Sequence, residues 1–159
     1  MAKDPYNFDD LFKQLEDEVN AVMTSPESKK QLSEHARYAA YEYVYPLYGN
    51  MEPGAVTSAR GYRRRYENGG LGDPDNYEVI AERLKLTVIN NTTGNCEQPG
   101  ESWTSGLIND IIENGVGYGW RHSDIYMMQP YPRPFMSKGV DEFVDEYLLP
   151  EIHNQVFNK

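Results

Sequence analysis

The order of periodicities along the chain constrains its fold more than any single motif. Helical patterns come first. A charged, turn-rich stretch follows, and after it come strand patterns, a short helical pattern and a terminal helical pattern. The dividing stretch reads Tyr62-Arg63-Arg64-Arg65-Tyr66-Glu67-Asn68-Gly69-Gly70-Leu71-Gly72-Asp73-Pro74-Asp75-Asn76. Its Gly-Gly pair allows positive φ, and each of the last four residues is a turn former. We expect residues 46–76 to be mostly irregular, a long loop of the kind that is often functional.

Before that loop, Phe8, Leu11, Phe12, Leu15, Val19 and Val22 recur at spacings of three and four, placing them on one face of a helix that begins at Asn7. Asp9 and Asp10 lie in its first turn, where carboxylates favour the positive end of the helix dipole. Ser25-Pro26-Glu27 reads as a stop and a fresh start, and predicts a second helix from Pro26 to about Tyr45. Its expected buried face is Leu32, Ala36, Ala39 and Tyr43, with Pro46 and Gly49 ending it.

After the loop, Leu84, Leu86 and Val88 alternate with Lys85, Thr87 and Ile89, the pattern of a half-buried strand. Glu78 to Glu82 fits either a second strand or a helical turn. Asn90 to Asn95 reads as a polar turn that extends as a loop to about Glu101 and carries Cys96. A short helix is expected from Ser105 to Asn114, with Leu107, Ile108, Ile111 and Ile112 on one face and Gly115 as its stop. Val116 to Trp120 alternates with glycine as a strand or a tight approach, and His122 to Pro134 reads as a second long loop. From Ser137, Val140, Phe143, Val144, Tyr147 and Leu148 define the last helix. Pro150 must kink or end it, because proline lacks the amide donor. A separate short helix with Ile152, Val156 and Phe157 is expected beyond.

Length and charge narrow the function. A chain of 159 residues makes one domain the default and can bury a real core. The net charge of −10 opposes free-standing nucleic-acid binding, because phosphate contacts supply most of such affinity. Thirteen tyrosines lean toward a protein made for contact, since tyrosine combines large area with a polar tip. The single cysteine excludes an internal disulfide and a Cys-x-x-Cys site. Met1 to Tyr6 lacks the apolar core of a signal peptide, and no run approaches the roughly 18 apolar residues of a membrane span. The expectation is a soluble protein made in the cytoplasm.

Catalytic and metal chemistry find little support. His35, His122 and His153 are scattered, whereas a metal needs three or four converging ligands. Asp110 and Glu113, an imaginable acid–base pair, read more simply as the solvated edge of an amphipathic helix. Nothing local supports Cys96 as a nucleophile with His122. Gly69-Gly70-Leu71-Gly72 has no following Lys-Ser/Thr and so does not read as a phosphate loop. We therefore expect no enzymatic activity, no metal and no cofactor. Arg60 and Arg63 to Arg65 stand in a chain of 25 acids and 15 bases, so carboxylate partners abound. An arginine fork holds carboxylates bidentately. Three uses stay open for the cluster: a protein contact, which is favoured, a solvated loop, or phosphate.

The ordered set of signals has a counterpart. Tyr41-Glu42-Tyr43-Val44-Tyr45 leads into Tyr62-Arg63-Arg64-Arg65 and then Gly69-Gly70-Leu71-x-Asp73-x-x-Asn76. Asn90-Asn91-Thr92, Ile111-Ile112-Glu113-Asn114-Gly115 and Arg133-Pro134-Phe135-Met136 follow in that order. Over residues 36–149 this resembles the minor tail-component, or tail-completion, proteins of long-tailed bacteriophages, which act at the head–tail junction, most closely those from Gram-positive hosts. The resemblance implies an α+β fold, a small, mostly antiparallel sheet packed against a long helix with further N- and C-terminal helices. It implies no enzymatic activity, and assembly as a ring, commonly of six copies, in the virion neck or at the top of the tail. Arg133-Pro134-Phe135 would anchor the start of the last helix, and Ile112 to Gly115 would lead into a sheet strand. Residues 7–23 and the loop 94–104 have no counterpart in that family.

These arguments nominate Arg60, Arg63, Arg64, Arg65, Tyr66, Arg133, Phe135 and Met136 as protein-interface residues. The expected partners are further copies of the chain and neighbouring neck, portal or tail-tube proteins, with DNA passing through the ring unbound and no membrane involved. An acidic lumen suits such a passage because it repels phosphate. The alternative from another class is a small acidic regulator or DNA mimic that binds a basic or host protein.

Overall fold

The computed structural model describes residues 7–44, 56–57, 63–64, 69–98, 101–107, 112–114 and 132–158, with the backbone alone described in 56–57, 63–64, 93–98 and 101–107. Helix α1 spans Phe8–Met23 and α2 spans Pro26–Tyr43. The break between them forms as the sequence predicts. Ser25 sits in extended backbone, its Oγ accepts the Ser28 amide at 3.1 Å, and Pro26 opens the helix where its missing N–H costs nothing. Ser28 Oγ in turn donates to the Val22 carbonyl at 2.7 Å, so the junction also satisfies a carbonyl at the end of α1.

The long helix α2 is the organising element. Along one side it meets α3, Phe135–Phe143, and along another the hairpin of β3, Tyr77–Glu82, and β4, Lys85–Asn90. The fold is α+β, as expected. The α2–α3 crossing is close for a stated reason. A Cβ on Gly139 would lie 2.6 Å from Ala36 Cα and 2.9 Å from the His35 carbonyl oxygen, so the two backbones touch where glycine faces alanine. Two apolar clusters flank this contact. One gathers Ala39, Ala40, Val44, Leu71, Ile112 and Phe135. The other gathers Val22, Leu32, Phe143 and Leu148, with Val79, Leu86 and Val88 of the hairpin packed on it.

The buried stripe of α2 differs from expectation at its end. Ala40 and Val44 are buried, whereas Tyr43 is exposed and its hydroxyl donates to Glu142 at 2.7 Å. Phe135 and Leu71 cover the Ala40–Val44 side, which turns Tyr43 outward. Its hydrogen bond to the Glu142 carboxylate, with desolvation and the field of nearby acids, raises the Tyr43 pKa.

Among the described residues the strands form three two-stranded antiparallel pairs. β1, Val56–Thr57, pairs with β2, Arg63–Arg64, within the stretch expected to be irregular. In the β3–β4 hairpin Tyr77 faces Asn90 and Glu82 faces Lys85, leaving Arg83-Leu84 as the turn. Leu84 is therefore not the first strand residue but a turn residue at φ 52, a left-handed conformation unusual for a bulky side chain. The expected polar loop at 94–104 is instead a hairpin of β5, Thr93–Gln98, and β6, Glu101–Leu107, with a register shift at Thr93/Gly94. The expected helix from Ser105 is corrected accordingly. Ser105 to Leu107 belong to β6, and helical backbone is described only at 112–114. Residues 116–120 and His122 lie outside the described residues.

Beyond α3 the helix changes pitch rather than stopping. A π-helical turn, Val144–Leu148, leads into α4, Leu149–Ile152, and a second π-helical turn, His153–Phe157, follows. Pro150 falls just after the π-helical turn, within a continuous helical run, and contributes no amide donor to it. The wider turn before it accommodates the ring that an unbroken α-helix would reject.

Candidate functional site

The motif Gly69-Gly70-Leu71-Gly72-Asp73 folds into a loop held by its carbonyls. Asn76 Nδ2 donates to the Gly70 carbonyl at 2.8 Å, and Thr92 Oγ1 donates to the same oxygen at 3.2 Å. The Tyr77 hydroxyl donates to the Leu71 carbonyl at 2.6 Å, and Arg37 Nε of α2 donates to the Gly72 carbonyl at 2.8 Å. Asn90 and Thr92 are buried beside it, with the Thr92 amide donating to Asn90 Oδ1 at 2.9 Å. Gly69 takes φ 88, and Leu71 points into the core at 4% exposure. Donors from α2, β3 and the end of β4 thus satisfy the loop's buried backbone, and the loop plugs one end of the core.

The Asp73 carboxylate is the loop's latch. It accepts the amides of Gly69 and Asp75, the latter at 3.0 Å, and caps the 3₁₀ turn Pro74–Asn76. Those backbone donors, the Gly69 amide first, hold the Asp73 pKa below its ordinary value. A carboxylate with a lowered folded pKa stabilises the fold above its unfolded pKa, and that contribution disappears as the pH falls through the folded value. Asp73→Asn should therefore lower the melting temperature at neutral pH. It should also flatten the loss of stability that thermal melts of the parent chain are expected to show between about pH 5 and pH 2.

A second clasp joins the segment 112–114 to the last helix. The Glu113 carboxylate accepts the Met136 amide at 2.9 Å, the Ser137 amide at 3.1 Å and the Ser137 hydroxyl at 2.5 Å. The Arg133 amide donates to the Ile112 carbonyl at 2.8 Å. Glu113 is thus the N-terminal cap of α3, supplied from a distant part of the chain, because Pro134 has no side-chain oxygen to offer. The expected solvated edge is corrected by this finding, since the carboxylate is half-buried and fully engaged. Asp110 lies outside the described residues. Glu113→Ala should destabilise the chain by about 1–2 kcal/mol, read from a urea melt followed by circular dichroism.

The interface candidates fall in different places. Phe135 is fully buried, Arg133 is 5% exposed, and Met136 is half-buried against the first core cluster. Phe135 and Arg133 lie in the interior of the single copy, and Met136 packs on that interior while staying partly exposed. The Arg133-Pro134-Phe135 segment does open the last helix, with Phe135 as its core anchor. Arg63 and Arg64 form β2 with their side chains outside the described ones, and Arg60, Arg65 and Tyr66 lie outside the described residues altogether.

The surface feature that periodicity did not foretell lies on α1. Its apolar stripe is one continuous face, but only the C-terminal half is covered. Val22 is 5% exposed, whereas Phe8, Leu11 and Phe12 are 66%, 60% and 60% exposed. The pattern signals amphipathicity, and nothing in it tells which part of the stripe the rest of the chain will reach. Among the described residues no group of His, Cys, Asp and Glu could hold a metal ion, and no helix is long and apolar enough to cross a membrane.

These elements define a small α+β scaffold, latched by side chains that hold backbone groups and bearing an uncovered apolar helix face. Within that class the chain belongs to the YomN family, which it matches over residues 7–159. The family is phage-derived, of the Bacillus phage type, and the chain is a phage-associated protein. No curated protein and no solved structure matches it.

Proposed function

We propose that the chain is a structural virion protein at the head–tail junction, assembling as a ring that joins tail to head and lets DNA pass. The observation that carries this reading is membership of a phage-derived family. The finer reading is supported by the resemblance of the ordered motifs, from Tyr41 to Met136, to those of tail-completion proteins. The Gly69–Asp73 loop and the Glu113 clasp onto the last helix, which fall on those motifs, act as structural latches and leave no catalytic use for them in this reading.

Charge supports the same reading. A ring around DNA must avoid a static electrostatic trap, and a net charge of −10 on each copy favours a lumen that repels phosphate. Ring contacts are heterologous, so each copy needs two different complementary patches. The chain acts without catalysis or cofactor, its partners being other copies and the portal-side and tail-tube proteins, and its place being the neck or the top of the tail. Inactivating the gene in a phage that carries it tests this. Full heads and complete tails should accumulate unjoined in electron micrographs. Joined infectious particles at the parental yield would contradict the proposal.

A further inference from the structure

The uncovered face of α1 is presented rigidly. Asn20 Oδ1 accepts the Leu84 amide at 2.9 Å, and Arg83 reaches Glu16 at 3.3 Å and Asp17 at 3.0 Å, so the tip of the β3–β4 hairpin holds the helix from the side. α4 and the final π-helical turn also pack against α1. With one half anchored, Phe8, Leu11 and Phe12 continue the buried stripe into solvent. An exposed aromatic and aliphatic stripe on a pinned helix is a surface for a partner.

The charges beside the stripe select the occupant. α1 carries Asp9, Asp10, Glu16, Asp17 and Glu18 against Lys13, and Arg83 of the hairpin offsets part of the Glu16–Asp17 charge, so the helix stays acidic on balance. Two such helices packed face to face would set one net-acidic helix against another, a less favourable pairing than one with a basic surface. A basic surface with apolar or aromatic content fits instead. The chain has one concentrated stretch of that chemistry, Arg60 and Tyr62-Arg63-Arg64-Arg65-Tyr66, far from α1 in sequence. Guanidinium groups stack on aromatic faces, their stems cover apolar surface, and their forks hold carboxylates, which matches Phe8 and Phe12 beside Asp9.

We propose that the exposed face of α1 docks onto the arginine stretch Arg60–Arg65 of a second copy, forming a heterologous, head-to-tail contact. The contact rests on the self-assembly reading above and names the two patches a ring requires.

Light scattering on a size-exclusion column, over a concentration series of the full chain, tests it with two variants. Leu11→Ser/Phe12→Ser removes the apolar face at exposed positions, and Arg63→Glu/Arg64→Glu/Arg65→Glu reverses the basic patch. Thermal melts verify that each variant folds, and Arg63→Gln/Arg64→Gln repeats the second arm without charge reversal. The parent should grow in mass with concentration and dissociate as salt is raised. Each variant alone should weaken self-association at least about tenfold. An equimolar mixture of the two should yield a species of twice the single-chain mass and no larger, because one intact α1 face then meets one intact arginine patch. An α1 variant that assembles like the parent overturns this contact and leaves the ring intact. Variants that stay monomeric even when mixed overturn the pairing of these two patches. A parent that remains monomeric alone and in the presence of heads and tails overturns both the contact and the ring.

Discussion

Gly139→Ala should destabilise the chain by about 3 kcal/mol, although the same change in an isolated helix would stabilise it by about 1 kcal/mol. The sign follows from geometry. The added methyl would lie 2.6 Å from Ala36 Cα and 3.0 Å from the Ala36 amide nitrogen, and these are backbone atoms that cannot swing aside. α2 and α3 must separate, which loosens both apolar clusters at once, since the contact lies between them. For a chain of this size the melting temperature should fall by about 6–12 °C. An unchanged or raised melting temperature would mean that the helices do not cross at this residue.

Phe135→Ala should cost about 3–5 kcal/mol. The ring is fully buried and sits where the chain leaves Arg133 and Pro134 to enter α3, packed with Ala39, Ala40, Val44, Leu71 and Ile112. Small alanines on α2 make room for this one large side chain, so truncating it leaves a void that they cannot fill. Chemical denaturation should show the loss as a lower midpoint with little change in slope. Phe135→Leu, which keeps most of the volume, should recover more than half of it. A Phe135→Ala chain as stable as the parent would move the residue out of the core and back among surface contacts.

How much of this was legible depends on whether the signal is local. The ends of α1 and α2 are written in adjacent residues, Asn7 before Phe8 and Ser25-Pro26-Glu27, and both helices form where those residues place them. Glu78 to Glu82 fitted a strand or a helical turn equally until pairing with β4 made it β3, whereas β4 was visible in the alternation around Leu86 and Val88. The β5–β6 hairpin was not, because Thr93-Gly94-Asn95-Cys96-Glu97-Gln98 has no alternation of apolar and polar residues, and pairing alone makes it a strand. Val44 is buried and the expected Tyr43 is not, because the Phe135–Leu71 side of the core decides which way α2 faces, a tertiary choice beyond the reach of periodicity.

The latches were illegible for a related reason. Arg37 finds the Gly72 carbonyl across 35 positions, and Glu113 finds the α3 amides across 23 and 24. No spacing rule connects such pairs. Gly69 to Asp73 stood out as a turn-rich stretch and Ile112 to Gly115 read as the end of an amphipathic helix, and their task as backbone holders became visible only with the partners in place. The stripe on α1 was legible as amphipathic, while its exposure was not, because exposure depends on how far the last helix extends alongside it.

The most direct test of the connector proposal is the mass of the purified chain on a size-exclusion column with light scattering, first alone and then with purified tails and with portal-containing heads. The account predicts a closed oligomer of the 18.3 kDa chain, or a monomer that joins tails or heads in a fixed ratio. A monomer that ignores both, and binds a basic protein in competition with DNA instead, would contradict it.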